Sequence, residues 1–252
     1  MGTLAGRRAL VTAGGQGLGL AIATELARQG CDVVVTYRSS RASAEAFAAD
    51  ASRGRRALAV AADLTREPDA RRAVDAAVDH LGGLDILVNN AGDLVARRTL
   101  RDLDVVFWQK VMDVNMTSML LVTHQAQPHL EQAGQSSIVN LASLAGRKGG
   151  HPGSLAYSTA KGAVLTWTRA LAAELAPKGV RVNAVAPGFI LGTRFHATHT
   201  TRESAERTVA GIPLGRAGTP GDVARAVAFL ASEYDGFITG ATLDVNGGVH
   251  MI

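Results

Sequence analysis

The chain reads as an α/β protein: a doubly wound domain over residues 1–252, with a seven-stranded parallel sheet and helices on both faces. Three observations predict this. Short apolar runs alternate without a break with longer runs of helical spacing, as strands and helices do when a parallel sheet is covered on both sides. The first apolar run opens into the glycine turn Gly14-Gly15-Gln16-Gly17 and then into a helix. No linker, repeat or low-complexity stretch marks a second domain, and right-handed crossovers then wind the chain into an open sheet.

The elements follow in order. Arg8-Ala9-Leu10-Val11-Thr12 is a strand too apolar to have a wet face. Residues 18–29 carry Leu18, Ile22 and Leu26 at helical spacing. Val33-Val34-Val35 is the second strand, and 41–53 is an alanine-rich helix. The run from Arg56 to Ala61, closed by Asp63-Leu64, is the third strand, and a helix over 67–81 follows. Leu84-Asp85-Ile86-Leu87-Val88-Asn89 is the fourth strand, and one long helix over 104–131 contains Asn115. Ser137-Ile138-Val139-Asn140-Leu141-Ala142 is the fifth strand and ends at Ser143. The helix bearing Tyr157 runs to about Ala176 and stops at Pro177. Val180 to Val185 forms the sixth strand, ending at Pro187-Gly188. Residues 189–216 are irregular, rich in Thr, His and Gly, and long for a connection, so they read as a substrate loop or lid. A helix over 220–232 leads to the last strand, Ala241 to Val245.

Composition excludes several classes. Hydrophobic residues make up 47% and charged residues 19%, which is globular. The net charge of +4 comes from scattered pairs such as Arg55-Arg56 and Arg71-Arg72, interleaved with acids; this is not a nucleic-acid stripe. Cys31 is the only cysteine, so no intrachain disulfide or thiolate metal site can form, and a reducing compartment fits. The start lacks an apolar leader and no run is long enough to span a bilayer. A cytoplasmic protein is expected. His196 and His199 lack a carboxylate to complete a metal site, and no metal is expected.

The chemistry centres on Tyr157-Ser158-Thr159-Ala160-Lys161. Residues four apart on a helix share a face. A free phenol titrates near ~10, and an ammonium held close favours the phenolate, so the pair can serve as an acid/base unit. Ser143 closes a strand at the carboxyl edge, where open α/β sheets place their sites. Its hydroxyl can bond a substrate oxygen. A tyrosine and a lysine four apart are more often a surface pair; what singles this one out is the rest of the chain.

The turn Thr12-Ala13-Gly14-Gly15-Gln16-Gly17-Leu18-Gly19 joins the first strand to the first helix. Glycines admit a pyrophosphate, and helix amides receive it. A tight turn without a ligand is the plainer alternative. A dinucleotide with a free 2′-hydroxyl calls for an acid at the end of the second strand. That end here reads Thr36-Tyr37-Arg38-Ser39-Ser40, while Asp32 lies at the other end. An arginine beside serine hydroxyls suits a 2′-phosphate. NADP(H) is therefore favoured over NAD(H), unless Arg38 only faces solvent.

With these pieces in place the chain resembles the short-chain dehydrogenase/reductase family over essentially its whole length. The matching pieces are the Thr12–Gly19 turn, Asp63, Asn89-Asn90-Ala91-Gly92, Asn115, Ser143, Tyr157-x-x-x-Lys161 and Pro187-Gly188. The resemblance implies a single Rossmann-fold domain and a role for each residue. Tyr157 is the general acid/base, and Lys161 lowers its pKa and binds the nicotinamide ribose. Ser143 orients the carbonyl or alcohol, and Asn115 holds a water in a relay through Lys161. The cofactor residues implied are Thr12, Gly14, Gln16, Gly17, Leu18 and Gly19 in the turn; Tyr37, Arg38 and Ser39 after the second strand; and Asp63 and Leu64 beside the adenine. Asn90, Ala91 and Gly92 line it further along, and Pro187, Gly188 and Ile190 meet the nicotinamide end.

Two positions depart from the family. Ala13 stands where most members have the first glycine; if that position needs positive φ, alanine costs ~1–2 kcal/mol. Many relatives place a threonine five residues after the proline. Here Gly192 holds that place and Thr193 comes one later, so either the loop bulges to bring Thr193 in or the contact is lost.

The substrate pocket is expected from 93–99, 144–155 and 189–212, with Leu94, Val95, Leu144, His151, Leu155, Phe189, Phe195 and His196 on its wall. Within the family the chain is most similar to bacterial 3-oxoacyl-carrier-protein reductases and sugar or alcohol dehydrogenases. The carrier-protein reductases tend to have basic residues where this chain has Glu131-Gln132 and Ala172-Ala173-Glu174, so a small free carbonyl compound or polyol is at least as good a substrate. Three readings follow. The first is an NADP(H)-dependent ketoreductase or alcohol dehydrogenase, the second an NAD-dependent sugar, polyol or alcohol dehydrogenase, and the third a non-catalytic dinucleotide sensor. Relatives imply a homotetramer or dimer, with helices 104–131 and 155–176 in one interface and the last strand in another. The apolar tail Gly247 to Ile252 would be buried there.

Overall fold

A computed structural model of the protein describes residues 4–193, 198, 200–232 and 236–251. Its strands are β1 (Arg8–Val11), β2 (Asp32–Tyr37), β3 (Ala57–Ala61), β4 (Ile86–Asn89), β5 (Ser136–Leu141), β6 (Val180–Pro187) and β7 (Thr242–Val245). They form one parallel sheet in the order β3-β2-β1-β4-β5-β6-β7. The helices are α1 (Gly17–Arg28), α2 (Arg41–Ala51), α3 (Glu67–Leu81), α4 (Val105–Met112), α5 (Ser118–Ala133), α6 (Leu144–Lys148), α7 (Leu155–Leu175), α8 (Arg202–Ala210) and α9 (Pro220–Ala231).

Period-two alternation explains the two-faced sheet. Val11, Val33, Val35, Val88 and Val139 pack on one side with Ile22 and Leu26 of α1 and Val223 and Val227 of α9. Leu10, Val34, Leu87, Ile138 and Val182, which alternate with them, pack on the other side with Val74 of α3, Leu130 of α5 and Leu175 of α7. Each such side chain contributes roughly 1.5–3 kcal/mol when fully buried. With both faces apolar, neither can be left to water, so helices cover both. The strand order reverses between β1 and β4, and the crevice that ligands enter opens there, beyond the carboxyl ends of the strands.

Two expected elements differ. The single helix over 104–131 is instead α4, one π-helical turn at Asp113–Thr117, and α5. The chain stays helical throughout, and Asn115 lies in the π turn, its Nδ2 donating to the Val111 carbonyl four residues back at 2.8 Å. The stretch 189–216 is not wholly irregular, because α8 forms within it. Helix α8 buries no residue and carries the pairs Arg202–Glu206 and Glu203–Arg207 four apart, so no apolar periodicity announces it. Helix α9 starts as sequence rules predict: Pro220 follows the N-cap Thr219, and Thr219 and Asp222 form a capping box. No helix among the described residues is long and apolar enough to cross a membrane.

Candidate active site

A cavity of about 1110 Å³ opens at the carboxyl edge of the sheet, between the loops after β1, β4, β5 and β6. The glycine turn forms one end of it. Gln16, Gly17, Leu18 and Gly19 line the cavity. Gln16 is the N-cap of α1, its side chain does not cap the helix, and the first turn holds no acid. The first amides of α1 are therefore left for an anion, supported by the positive end of the helix dipole. A Cβ on Gly19 would run into the Ala13 carbonyl and the Asn90 side chain, so only glycine allows this close approach of β1, α1 and β4. Ala13 adopts φ 50, the left-handed conformation that alanine disfavours. These features fit a dinucleotide pyrophosphate.

Thr12 and Asn90 tie the turn to the rest of the crevice. The Thr12 hydroxyl accepts from the amides of Asn90 at 2.8 Å and Ala91 at 3.0 Å. The Asn90 side chain donates to the carbonyls of Thr12 at 2.9 Å and Ala13 at 3.2 Å. Asn90 and Gly92 face the cavity; the buried Thr12, and Gly14 and Ala91, lie behind its wall. Pro187, Gly188 and Ile190 line the opposite side. Gly192 adopts φ +80 ahead of the shifted threonine. Thr193 then lines the cavity, with its Cβ 3.9 Å from where a Gly17 side chain would start.

The residues expected at the adenine end lie outside this cavity. Tyr37 is buried at the end of β2, while Arg38 and Ser39 are exposed just beyond it. Arg38 has no partner among the described residues. Asp32, at the other end of β2, accepts from the Arg56 amide and pairs with its guanidinium, so it is committed away from the crevice. The Asp63 carboxylate accepts from the amide and hydroxyl of Thr65, and Leu64 is buried in the core.

Ser143, Tyr157 and Lys161 converge on the cavity wall. Ser143 follows β5 and caps α6, accepting from the Ala145 amide at 3.1 Å, and it shares a side-chain hydrogen bond with Tyr157. Tyr157 and Lys161 lie one turn apart on α7. Lys161 Nζ stands 5.8 Å from the centre of the Tyr157 ring and donates to the Leu141 carbonyl at 2.7 Å.

Burial dominates the electrostatics of the pair. Burial pushes the Tyr157 phenol up to about 12, the Ser143 hydrogen bond opposes this, and the charge of Asp93 adds to it. Burial also holds the Lys161 amine down at about 8. Desolvation is the largest influence on the phenol, and the Lys161 ammonium is turned toward the Leu141 carbonyl.

Asn115 is fully buried behind the wall. Its Nδ2 donates to the carbonyls of Asp93 and Val111, and its Oδ1 accepts from the Asp93 amide. A Cβ on Gly92 would lie 2.7 Å from Asn115 Oδ1 and 2.9 Å from Lys161 Nζ, so the two side chains meet at this glycine.

Of the expected pocket wall, Leu94, Leu144, His151 and Phe189 line the cavity. Val95 does not; at φ 65 it turns into a small cluster with Phe107, Val111 and Ala156. Leu155 is half-exposed and also off the wall. Phe195, His196 and His199 lie outside the described residues. Arg97, Lys148, Ser154, Arg207 and Val249 line the cavity without having been singled out by sequence. The doublets Arg97-Arg98 and Arg147-Lys148 were the available signal, but sequence does not say which member faces inward.

The fold and this crevice define a nicotinamide-dinucleotide oxidoreductase acting on carbonyl and CH–OH groups. The family model described as enoyl-(acyl carrier protein) reductase matches residues 12–250. The 4-formylbenzenesulfonate dehydrogenase of Comamonas testosteroni is 40% identical, over 95% of this chain and 96% of its own. The 3-ketoacyl-(acyl-carrier-protein) reductase of Brucella melitensis, solved with NADH, superposes with a TM-score of 0.91 at 36% identity, over 99% of this chain and 100% of its own. A short-chain dehydrogenase from Burkholderia cenocepacia, solved with NADP, gives 0.90 at 35% identity, over 98% of each chain. The chain belongs to the short-chain dehydrogenase/reductase family.

Proposed function

We propose that Tyr157 is the proton donor of a carbonyl reductase, with Ser143 orienting the substrate oxygen and Lys161 supplying positive charge beneath it. The observation that carries this is the Ser143–Tyr157 hydrogen bond on the cavity wall, with Lys161 one turn further along α7. A phenol raised to about 12 is protonated at neutral pH, which suits giving a proton to the oxygen in the direction of reduction. The Ser143 hydroxyl, held by the Ala145 amide and bonded to Tyr157, would turn its O–H to the substrate oxygen as negative charge develops there. Asn115 acts as a positioning residue, fixing the Asp93 backbone so that Gly92 stays open beside Lys161. The nicotinamide, when bound, supplies or takes up the hydride. Thr12, Gly14, Gln16, Gly17, Leu18 and Gly19 would hold or shape the pyrophosphate site, and Asn90, Ala91, Gly92, Pro187, Gly188, Ile190 and Thr193 the nicotinamide half.

NADP(H) is the preferred dinucleotide. Arg38 supports this: exposed at the end of β2, with no partner among the described residues, it can fork onto a 2′-phosphate, with Ser39 beside it. Tyr37 would complete that end, with Asp63 and Leu64 beside the adenine. Residues 189–216 would close over the substrate. The enzyme works in the cytoplasm, in keeping with a lone cysteine whose thiol burial pushes up to about 12. It assembles as a homotetramer: Val105, Val106 and Leu120 on α4 and α5, and Leu243 on β7, are exposed apolar residues on the two faces expected to pair.

The decisive measurement is NADPH oxidation with an activated ketone by wild type and by Tyr157→Phe. Loss of turnover with unchanged NADPH affinity is expected. A Tyr157→Phe variant as fast as wild type would overturn the assignment.

A further inference from the structure

The basic residues on the cavity wall form a pattern that the reaction itself does not require. Arg97, Lys148, Lys161 and Arg207 line the cavity, and no Asp or Glu does so among the described residues. Asp93, whose charge reaches Tyr157, is not on the wall. Two of the cations come from doublets that the fold splits in the same way. In Arg97-Arg98, Arg98 pairs with Asp104 at 2.6 Å and lies over the Phe107 ring at 4.3 Å. Arg97 faces the cavity with one long bond, 3.3 Å, to the Pro152 carbonyl. In Arg147-Lys148, Arg147 pairs with Asp244 at 3.1 Å behind the wall. Lys148 faces the cavity and has no partner among the described residues. Arg207 has its own acid, Glu203, at 3.8 Å.

Arg97 and Lys148 thus leave uncompensated positive charge at the mouth of the crevice. Arg97 lies in the loop after β4 and Lys148 ends α6 after β5, the strands that deliver Asn90 and Ser143, whereas the pyrophosphate site lies after β1. The Arg98 amide donates to the Gly153 carbonyl at 2.9 Å, so the loop after β4 that carries Arg97 is joined to the segment that follows Lys148. A cleft lined by one sign of charge draws in the opposite sign, and arginine and lysine both bind carboxylate, sulfonate or phosphate oxygens.

We propose that the cavity takes a carbonyl or alcohol substrate carrying a negatively charged group, which Arg97 and Lys148 hold while Ser143 and Tyr157 engage the reacting oxygen. The proposal rests on the reductase assignment above.

The test compares matched probes: 4-acetylbenzoate with its methyl ester, and acetoacetate with ethyl acetoacetate. Wild type should favour the anionic member in kcat/KM by roughly ten-fold, mainly through KM, with the preference shrinking as salt rises. Arg97→Gln and Lys148→Gln should each erase most of that ratio, and Lys148→Arg should keep it. An equal or reversed preference in wild type overturns the proposal, and so does a ratio untouched by either variant. A loss that appears in the Kd for NADPH assigns the cations to the dinucleotide and also overturns it. If no probe turns over, the reductase assignment fails by itself. Calorimetric binding of 4-acetylbenzoate then decides the charge: tighter binding by wild type than by Lys148→Gln supports the proposal, and equal binding overturns it.

Discussion

Lys161 donates from Nζ to the carbonyl oxygen of Leu141 at 2.7 Å, so the last residue of β5 holds the ammonium of α7. A buried amine at about 8 instead of 10.5 means that its charged form is disfavoured by roughly 3 kcal/mol at 1.36 kcal/mol per unit. Losing the bond to Leu141 costs about 1–3 kcal/mol in the other direction. Lys161→Met should therefore leave the Tm within about 4 °C of wild type while lowering kcat by about 10²–10⁴-fold. Thermal melts and steady-state kinetics check this; a large drop in Tm would show that the lysine is structural.

The same amine sets a pH dependence. Its folded pKa lies below the unfolded one, so between about 8 and 10.5 the unfolded chain binds the extra proton. Stability from this group therefore rises with pH across that window, and Lys161→Met should flatten the rise. The reduction rate should fall as pH climbs through about 8, where the ammonium is lost. Denaturant melts and kcat/KM profiles between pH 6 and 10 report the two effects separately.

Gly92→Ala should damage turnover more than folding. The new methyl would lie 2.7 Å from Asn115 Oδ1 and 2.9 Å from Lys161 Nζ. Asn115 is anchored by its bonds to Asp93 and Val111, so Lys161 must move. Displacing a group of the site by about 1 Å can cost roughly 10²-fold in rate. Kinetics beside a melt would show the split, and a Gly92→Ala enzyme of normal rate would contradict it.

Ala13→Gly should stabilise the chain. Ala13 sits at φ 50, which costs alanine ~1–2 kcal/mol, partly offset by the greater unfolded-state freedom of glycine. A net gain of up to about 1 kcal/mol is expected in denaturant melts. NADPH affinity should rise or hold; weaker binding would mean that the alanine methyl contributes directly.

Arg38→Ala should raise the Kd for NADPH by roughly ten-fold or more and leave NADH nearly unchanged, because one charge-assisted contact to a phosphate is worth ~1.5–3 kcal/mol. Equal losses for both dinucleotides would point to a general surface effect.

Much of the architecture was legible because parallel strands buried on both faces must be apolar, as the runs of β1, β2, β4 and β6 show; the edge strands β3 and β7 are only partly buried. Ser143, Tyr157 and Lys161 were legible because strand end and helix spacing bring them together. Helix α8 was not, since it packs no residue into the core. The π turn was hidden as well, because one widened turn leaves the helical spacing of the sequence almost unchanged.

The sequence by itself determined the strand order's raw material, the glycine turn and the acid/base trio, since local spacing and apolar period are local properties. Only the tertiary structure decided the surroundings of that trio. The Tyr157 phenol is raised by burial and the Lys161 amine is turned toward Leu141, neither of which spacing records. It also decided which cations face the cavity: Arg147 is claimed by Asp244, 97 residues away, and Lys148 is left to the crevice. Charge compensation acts through space, so it exists only once the chain has folded.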